Sequence, residues 1–172
     1  MARFYGPLPL RMRAVSQALR HGRVVSGGST LTMQVARLLE NSGTGTWSGK
    51  LRQIRVALAL EQRLSKDEIL NLYMTLAPYG GNIEGLRAAA RMWFDKEPTR
   101  LTPAEAALLV VLPQAPERRR PDRHPDTALA ARRAALARFE KNGLLTAEDT
   151  RTAMTEALPQ TRHDLPALAP PQ

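Results

Sequence analysis

Apolar residues along this chain recur every three or four positions and almost nowhere alternate, which commits it to helices. A half-buried strand needs period-two alternation, because successive side chains point to opposite faces. The few β-branched runs, such as Arg23-Val24-Val25, stand alone with no alternating partner. The helices are also punctuated. Ser65-Lys66-Asp67-Glu68 is a capping box, a Ser followed three residues later by Glu, and starts a helix through Ile69, Leu70, Leu72, Tyr73 and Met74. Thr102-Pro103-Ala104-Glu105 repeats that logic with Pro at the first helical position. The apolar run Ala106 to Leu112 follows and stops before Pro113.

Further helices are expected from weaker patterns. Residues 8–20 carry Leu10, Val15 and Leu19 in loose phase up to Gly22. Gly27-Gly28-Ser29 opens another helix, with Leu31, Val35, Leu38 and Leu39 on one face. Asn41 to Gly49 reads as a loop. The longest pattern spans Lys50 to Leu64, with Leu51, Ile54 and Leu58 as one stripe and Val56, Leu60 and Leu64 beside it. Pro78-Tyr79-Gly80-Gly81-Asn82 is a loop, and Glu84 to Trp93 a helix whose small residues Gly85, Ala88 and Ala89 allow close packing. Residues 113–125 are rich in Pro and Arg, with Arg118-Arg119-Arg120 read as a charged, solvated loop. Two helices over 126–141 and 146–157 are separated by Asn142-Gly143. The expected fold class is all-α, with about eight helices in one domain over residues 1–158 and a Pro-rich linker or tail over 159–172.

A chain of 172 residues is long enough to bury a sizeable core. It contains no cysteine, so disulfide scaffolds, zinc-thiolate sites and thiol nucleophiles are excluded. No stretch approaches the ~20 unbroken apolar residues of a membrane-spanning helix. The net charge of +9 favours anionic partners: nucleic acid, phospholipid headgroups or diphosphates. Aromatics at 5% disfavour a base-stacking single-strand binder. Residues 4–20 combine Phe4, Tyr5, Leu8, Leu10, Met12 and Leu19 with Arg11, Arg13 and Arg20, a pattern suited to an anionic membrane surface or to packing on the core.

Chemistry concentrates in a few places. Gly27-Gly28-Ser29-Thr30 lets the backbone approach a ligand closely and adds hydroxyls and free amides at a helix start, a donor set that suits phosphate as well as a simple Ser/Thr cap. Lys50, Arg52 and Arg55 form a basic cluster on one helix. Glu61 lies eight residues after Gln53, about 80° around the helix, and reads as solvated or salt-bridged. Glu84 follows the Gly-Gly-Asn loop, where it serves a helix start or faces a cleft, and Glu105 is explained by its capping box. His21, His124 and His163 show no ligand spacing, so no metal site is assigned.

These segments, taken in order, resemble the signatures of the peptidoglycan glycosyltransferases, glycosyltransferase family 51. Gly27-Gly28-Ser29-Thr30-Leu31-Thr32-Met33-Gln34 resembles the second signature, and Lys50-Leu51-Arg52-Gln53-Ile54-Arg55 sits where the third is expected. Leu64 to Met74 is similar to the helix leading into the fourth, and Tyr79-Gly80-Gly81-Asn82-Ile83-Glu84-Gly85-Leu86-Arg87-Ala88-Ala89-Ala90 to the fourth itself. Leu101 to Leu109 and Leu112-Pro113-Gln114-Ala115-Pro116 resemble the fifth. Met33, Ala77 to Gly81 and residues 120–123 look most like the 1C type of bifunctional penicillin-binding proteins.

The resemblance implies a lysozyme-like helical domain with a small membrane-facing (jaw) subregion. It implies polymerisation of lipid II into glycan strands, with undecaprenyl diphosphate as leaving group, at the periplasmic or outer face of the bacterial cytoplasmic membrane. It places Gly28, Ser29, Thr30, Gln34, Lys50, Arg52, Arg55 and Asn82 at the substrate. No cofactor is required; a divalent cation, Mg or Mn, at the diphosphate is allowed. The implied partners are lipid II, the undecaprenyl-diphosphate-linked strand, an anionic membrane surface and a following transpeptidase domain, with no nucleic acid.

Two departures bear on activity. The family's catalytic Glu belongs to a first signature of which only Arg3-Phe4-Tyr5 matches, so the Glu and a membrane anchor are expected upstream of Met1. In the third signature Gly49 replaces an Arg, and Gln53 stands at the family's second Glu position, where it cannot be ionised. Gln53 and Glu84 are therefore the candidate catalytic positions, and the chain as written is expected to polymerise poorly. The rival readings are a non-catalytic fragment that binds lipid-linked sugar and a basic helical nucleic-acid binder.

Overall fold

The computed structural model describes residues 31–40 and 47–164. Among them lie seven α-helices: α1 (Leu31–Glu40), α2 (Trp47–Arg63), α3 (Lys66–Leu76), α4 (Leu86–Phe94), α5 (Pro103–Val111), α6 (Pro125–Lys141) and α7 (Ala147–Thr155). Single 3₁₀ turns occur at Pro98–Arg100 and Leu112–Gln114. The only pairing of extended backbone among the described residues is one antiparallel bridge, Pro78 to Glu84. The expected all-α class is what is found. The helix expected over 8–20 lies outside the described residues. The fold divides into two compact units, one within Gly22–Ala77 and one from Pro78 onward.

In the first unit α1 packs on both α2 and α3 and buries Thr32, Val35 and Ala36. Helix α2 begins at Trp47, three residues before the expected start, so Trp47 to Gly49 belong to the helix rather than the loop. Gly49 keeps its N–H and so can belong to the first turn; its cost there is backbone entropy. The facing of α2 also differs from expectation. Leu51, Ile54 and Leu58 are 61%, 38% and 57% exposed, while Gln53 and Ala57 are buried. The helix carries two apolar arcs roughly 150° apart. The one containing Val56, Leu60 and Leu64, half-buried around Ala57, packs on the neighbouring helices. The small Ala57 permits a closer approach than the Leu51 side would.

Helix α3 starts as its sequence dictates. Glu68 N–H donates to Ser65 Oγ (3.3 Å), and Ser65 N–H donates to Glu68 Oε2 (2.8 Å). Its buried face is Ile69, Leu70 and Tyr73, and burial pushes the Tyr73 phenol up to about 12.

In the second unit the helix expected from Glu84 begins two residues later, at Leu86. Gly85 at φ +87° lies outside helical geometry, and Glu84 is still paired with Pro78. Helix α4 ends on Asp95 in the left-handed conformation. The Thr102–Glu105 capping box is present as read, with Thr102 N–H donating to Glu105 Oε2 at 2.7 Å. Helix α5 is the centre of this unit: α4, α6 and α7 all pack on it around Trp93, Leu108, Leu109, Leu112 and Leu136. Arg132 of α6 is buried and donates to the carbonyls of Glu156 and Ala157, closing the C-terminal end of α7. The chain then returns to α4, where His163 N–H donates to Met92 C=O at 2.7 Å.

Candidate active site

The expected site residues fall in both units. Gly28, Ser29 and Thr30 lie outside the described residues, and so does the 4–20 segment. Gln34 is half-buried on α1. Lys50, Arg52 and Arg55 are exposed on α2 but do not share a face. Arg52 and Arg55 are neighbours three residues apart, whereas Lys50 lies roughly 140–160° away, beside Gln53. The single basic cluster read from the sequence is thus one Arg pair and one Lys. Gln53 is only 8% exposed. A neutral amide tolerates such burial far better than a carboxylate, whose desolvation would have to be repaid by a partner.

Glu61 has a defined task. Its Oε1 accepts from Thr32 Oγ at 2.7 Å and from Lys66 Nζ at 2.9 Å. The Lys66 bond first, then the Thr32 hydroxyl, lowers its pKa. Glu61 is therefore an ionised acceptor that ties the second-signature Thr32 on α1 to the end of α2. The sequence reads Glu61 as solvated or salt-bridged and carries no signal for Thr32, whose approach depends on how the two helices cross.

The fourth-signature segment is a tight turn. Tyr79 N–H donates to Ile83 C=O at 2.9 Å, and both side chains are buried. Gly80 and Gly81 adopt φ +98° and +64°, and Asn82 is exposed beside them. Gly81 N–H donates to the Glu117 carboxylate, which holds that carboxyl below its ordinary range. Glu84 is exposed and sits in the backbone bridge, not in the helix assigned to it.

Arg120 corrects the reading of Arg118-Arg119-Arg120 as a solvated loop: it is 6% exposed. Its guanidinium donates to Asp122 (2.6 Å from Nη2, 3.1 Å from Nε) and to Glu117 (3.3 Å). Arg119 donates to Val111 C=O at 2.7 Å at the end of α5. The available signal was local: Glu117 and Asp122 flank Arg120 at three and two residues, an arrangement that neutralises a buried cation.

Every carboxylate with a displaced pKa is displaced downward: Glu61, Glu68, Glu97, Glu117 and Asp122. Each is held by donors, so none of these five is poised as a proton acceptor near neutral pH. The described residues do not fit a protein-held divalent cation. No three His, Asp or Glu side chains converge among them, and the groups expected at a diphosphate are cationic.

The family model described as Transglycosylase matches residues 8–140. Penicillin-binding protein 1C of Escherichia coli (strain K12) is 49% identical over 158 residues, covering 92% of this chain and 20% of that protein. Penicillin-binding protein 1A of Pseudomonas aeruginosa is 36% identical over 152 residues, covering 88% of this chain and 18% of that protein. The chain therefore spans about a fifth of the length of these curated relatives. A crystal structure of penicillin-binding protein 1A from Haemophilus influenzae superposes with a TM-score of 0.53 over 80% of this chain and 17% of that one. At 22% identity that likeness speaks to the fold alone. No described helix is long and apolar enough to cross a membrane. On the family match and the identity to its relatives, the chain belongs to the transglycosylase family, the peptidoglycan glycosyltransferases of penicillin-binding proteins.

Proposed function

We infer that this domain binds the lipid-linked diphosphates of peptidoglycan assembly and aligns them for polymerisation. The observation that carries the reading is the family match across residues 8–140, with Gln53 where the family places its second carboxylate. In the reaction, a sugar 4-hydroxyl of lipid II attacks the anomeric carbon of the growing strand. The C–O bond to the undecaprenyl diphosphate breaks, and the diphosphate leaves with the electron pair. The hydroxyl proton must go to a base. Developing charge on the diphosphate calls for fixed donors, and Lys50 with the Ser29-Thr30 amides and hydroxyls is assigned to it, while Arg52 and Arg55, on another face of α2, are assigned to headgroup phosphate. Asn82 is assigned to a sugar. Such positioning lowers the barrier by alignment, and a general base contributes a further ~10²–10⁴-fold to the chemical step.

The same reading places the domain at an anionic membrane surface on the outer face of the cytoplasmic membrane. Exposed Leu51, Ile54 and Leu58 on α2, with the charges of Lys50, Arg52 and Arg55 around them, support it: apolar side chains enter the headgroup boundary while cations stay at phosphate. A transpeptidase domain following this one in a longer protein belongs to the same reading. Binding of a short-chain lipid II analogue, measured by calorimetry, tests the assignment. Lys50→Ala should weaken it about tenfold, the cost of one charge-assisted contact. Unchanged affinity would remove Lys50 from the diphosphate.

A further inference from the structure

We propose that residues 162–163 form a strap that positions the Gly80-Gly81-Asn82 turn, with Arg162 as the positioning residue. The sequence assigns this segment to a linker, yet two of its residues are tied to the unit's core. His163 N–H donates to Met92 C=O at 2.7 Å. The Arg162 guanidinium lies over the Trp93 ring, 5.2 Å from its centroid, and Trp93 is itself 1% exposed. Arg162 Nε faces Asp122 Oδ2 at 3.4 Å. Its other side lies flush against the turn: a Cβ added to Gly81 would stand 3.1 Å from both Nη1 and Nη2.

These contacts close a ring. Gly81 N–H donates to Glu117, Glu117 pairs with Arg120, Arg120 pairs with Asp122, and Asp122 faces Arg162, which returns to Gly81. Arg120 also packs its stem under Gly80. The turn is thus held from below by Arg120 and from the side by Arg162. Arg162 is the member that comes from farthest along the chain, and its Nε and Nη2 make no hydrogen bond. It is held by the flat face of Trp93 and by charge, a combination that a planar guanidinium supplies and an ammonium does not. The consequence for substrate rests on the reading above that Asn82 in the turn contacts the sugar.

Amide hydrogen exchange on the full 172-residue chain tests the strap without requiring activity. Arg162→Ala should speed exchange at Tyr79 and Gly81 by about tenfold and leave the α6 amides unchanged, since local opening is read against the core. Arg162→Lys should fall between. His163→Pro removes the N–H that anchors the strap and should act in the same direction; it decides the matter if Arg162→Ala does not fold. Unchanged exchange at the turn, or a rise shared equally with α6, would overturn the proposal. Faster exchange at the turn with undiminished binding of the lipid II analogue would uphold the strap and take the turn out of the binding surface.

Discussion

Gly80 is the residue whose identity the fold constrains most sharply. At φ +98° an L side chain is strained, and a Cβ would lie 2.7 Å from Arg120 Cγ and 3.0 Å from Pro116 C=O. Gly143 at φ +70° has nothing within 4 Å of the same added atom, so it isolates the conformational part of the cost. Gly143→Ala should cost about 1 kcal/mol and Gly80→Ala about 2 kcal/mol or more, because the second adds a clash against a buried Arg. Urea denaturation of the two variants checks the difference; equal losses would show that Arg120 and Pro116 simply move aside. The two glycines look alike in the sequence, each in a turn within two residues of an Asn. What separates them is the side chain of Arg120, forty residues from Gly80 and invisible to local pattern. Arg120's own burial does leave a local trace, in the Glu117 and Asp122 that flank and neutralise it, but its packing against Gly80 does not.

The helices divide by how local their cause is. Both capping boxes were legible, because an N-cap and its Glu partner sit three residues apart and need nothing else. The start of α4 was misread because Gly85 takes a positive φ that sequence alone does not announce. The facing of α2 was not legible either. Periodicity finds apolar arcs but does not say which one a neighbouring helix covers, and the covered arc includes the polar Gln53. The uncovered arc makes its own prediction. Replacing Leu51, Ile54 and Leu58 together by Ser should lower co-sedimentation with anionic vesicles while leaving urea stability within about 0.5 kcal/mol, as expected for exposed positions. A large loss of stability with unchanged vesicle binding would mean that the arc is covered by protein. Helix α4 has a pH signature. The Arg87 guanidinium, and after it Arg91, hold the Glu97 carboxyl down to about 2 against its ordinary 4.5. A folded pKa below the unfolded one stabilises the fold above about pH 4.5 and loses that contribution as pH falls toward 2. Wild type should lose stability over that window more steeply than Glu97→Gln, in acid denaturation followed by circular dichroism; parallel profiles would show the pair to be screened by solvent.

At the scale of the whole molecule, the fold class and the family were legible in the sequence, and the site only in part. The signatures are short, ordered and rich in Gly, Ser and Pro, whose backbone demands show in any sequence. The bonds from Thr32 to Glu61 and from Gly81 to Glu117 bring together residues 29 and 36 positions apart, so they emerge only once the helices are placed. Among the acids, the structure gives partners to Glu61, Glu97, Glu105 and Glu117 and leaves Gln53 buried and unable to accept a proton. On the reading proposed above, this domain holds the lipid-linked diphosphate of peptidoglycan assembly. The most direct test is a calorimetric titration of the 172-residue chain with a short-chain lipid II analogue, beside the same titration of Lys50→Ala. Saturable binding, weakened about tenfold by Lys50→Ala, is the predicted result. No binding, or binding that Lys50→Ala leaves unchanged, would contradict it.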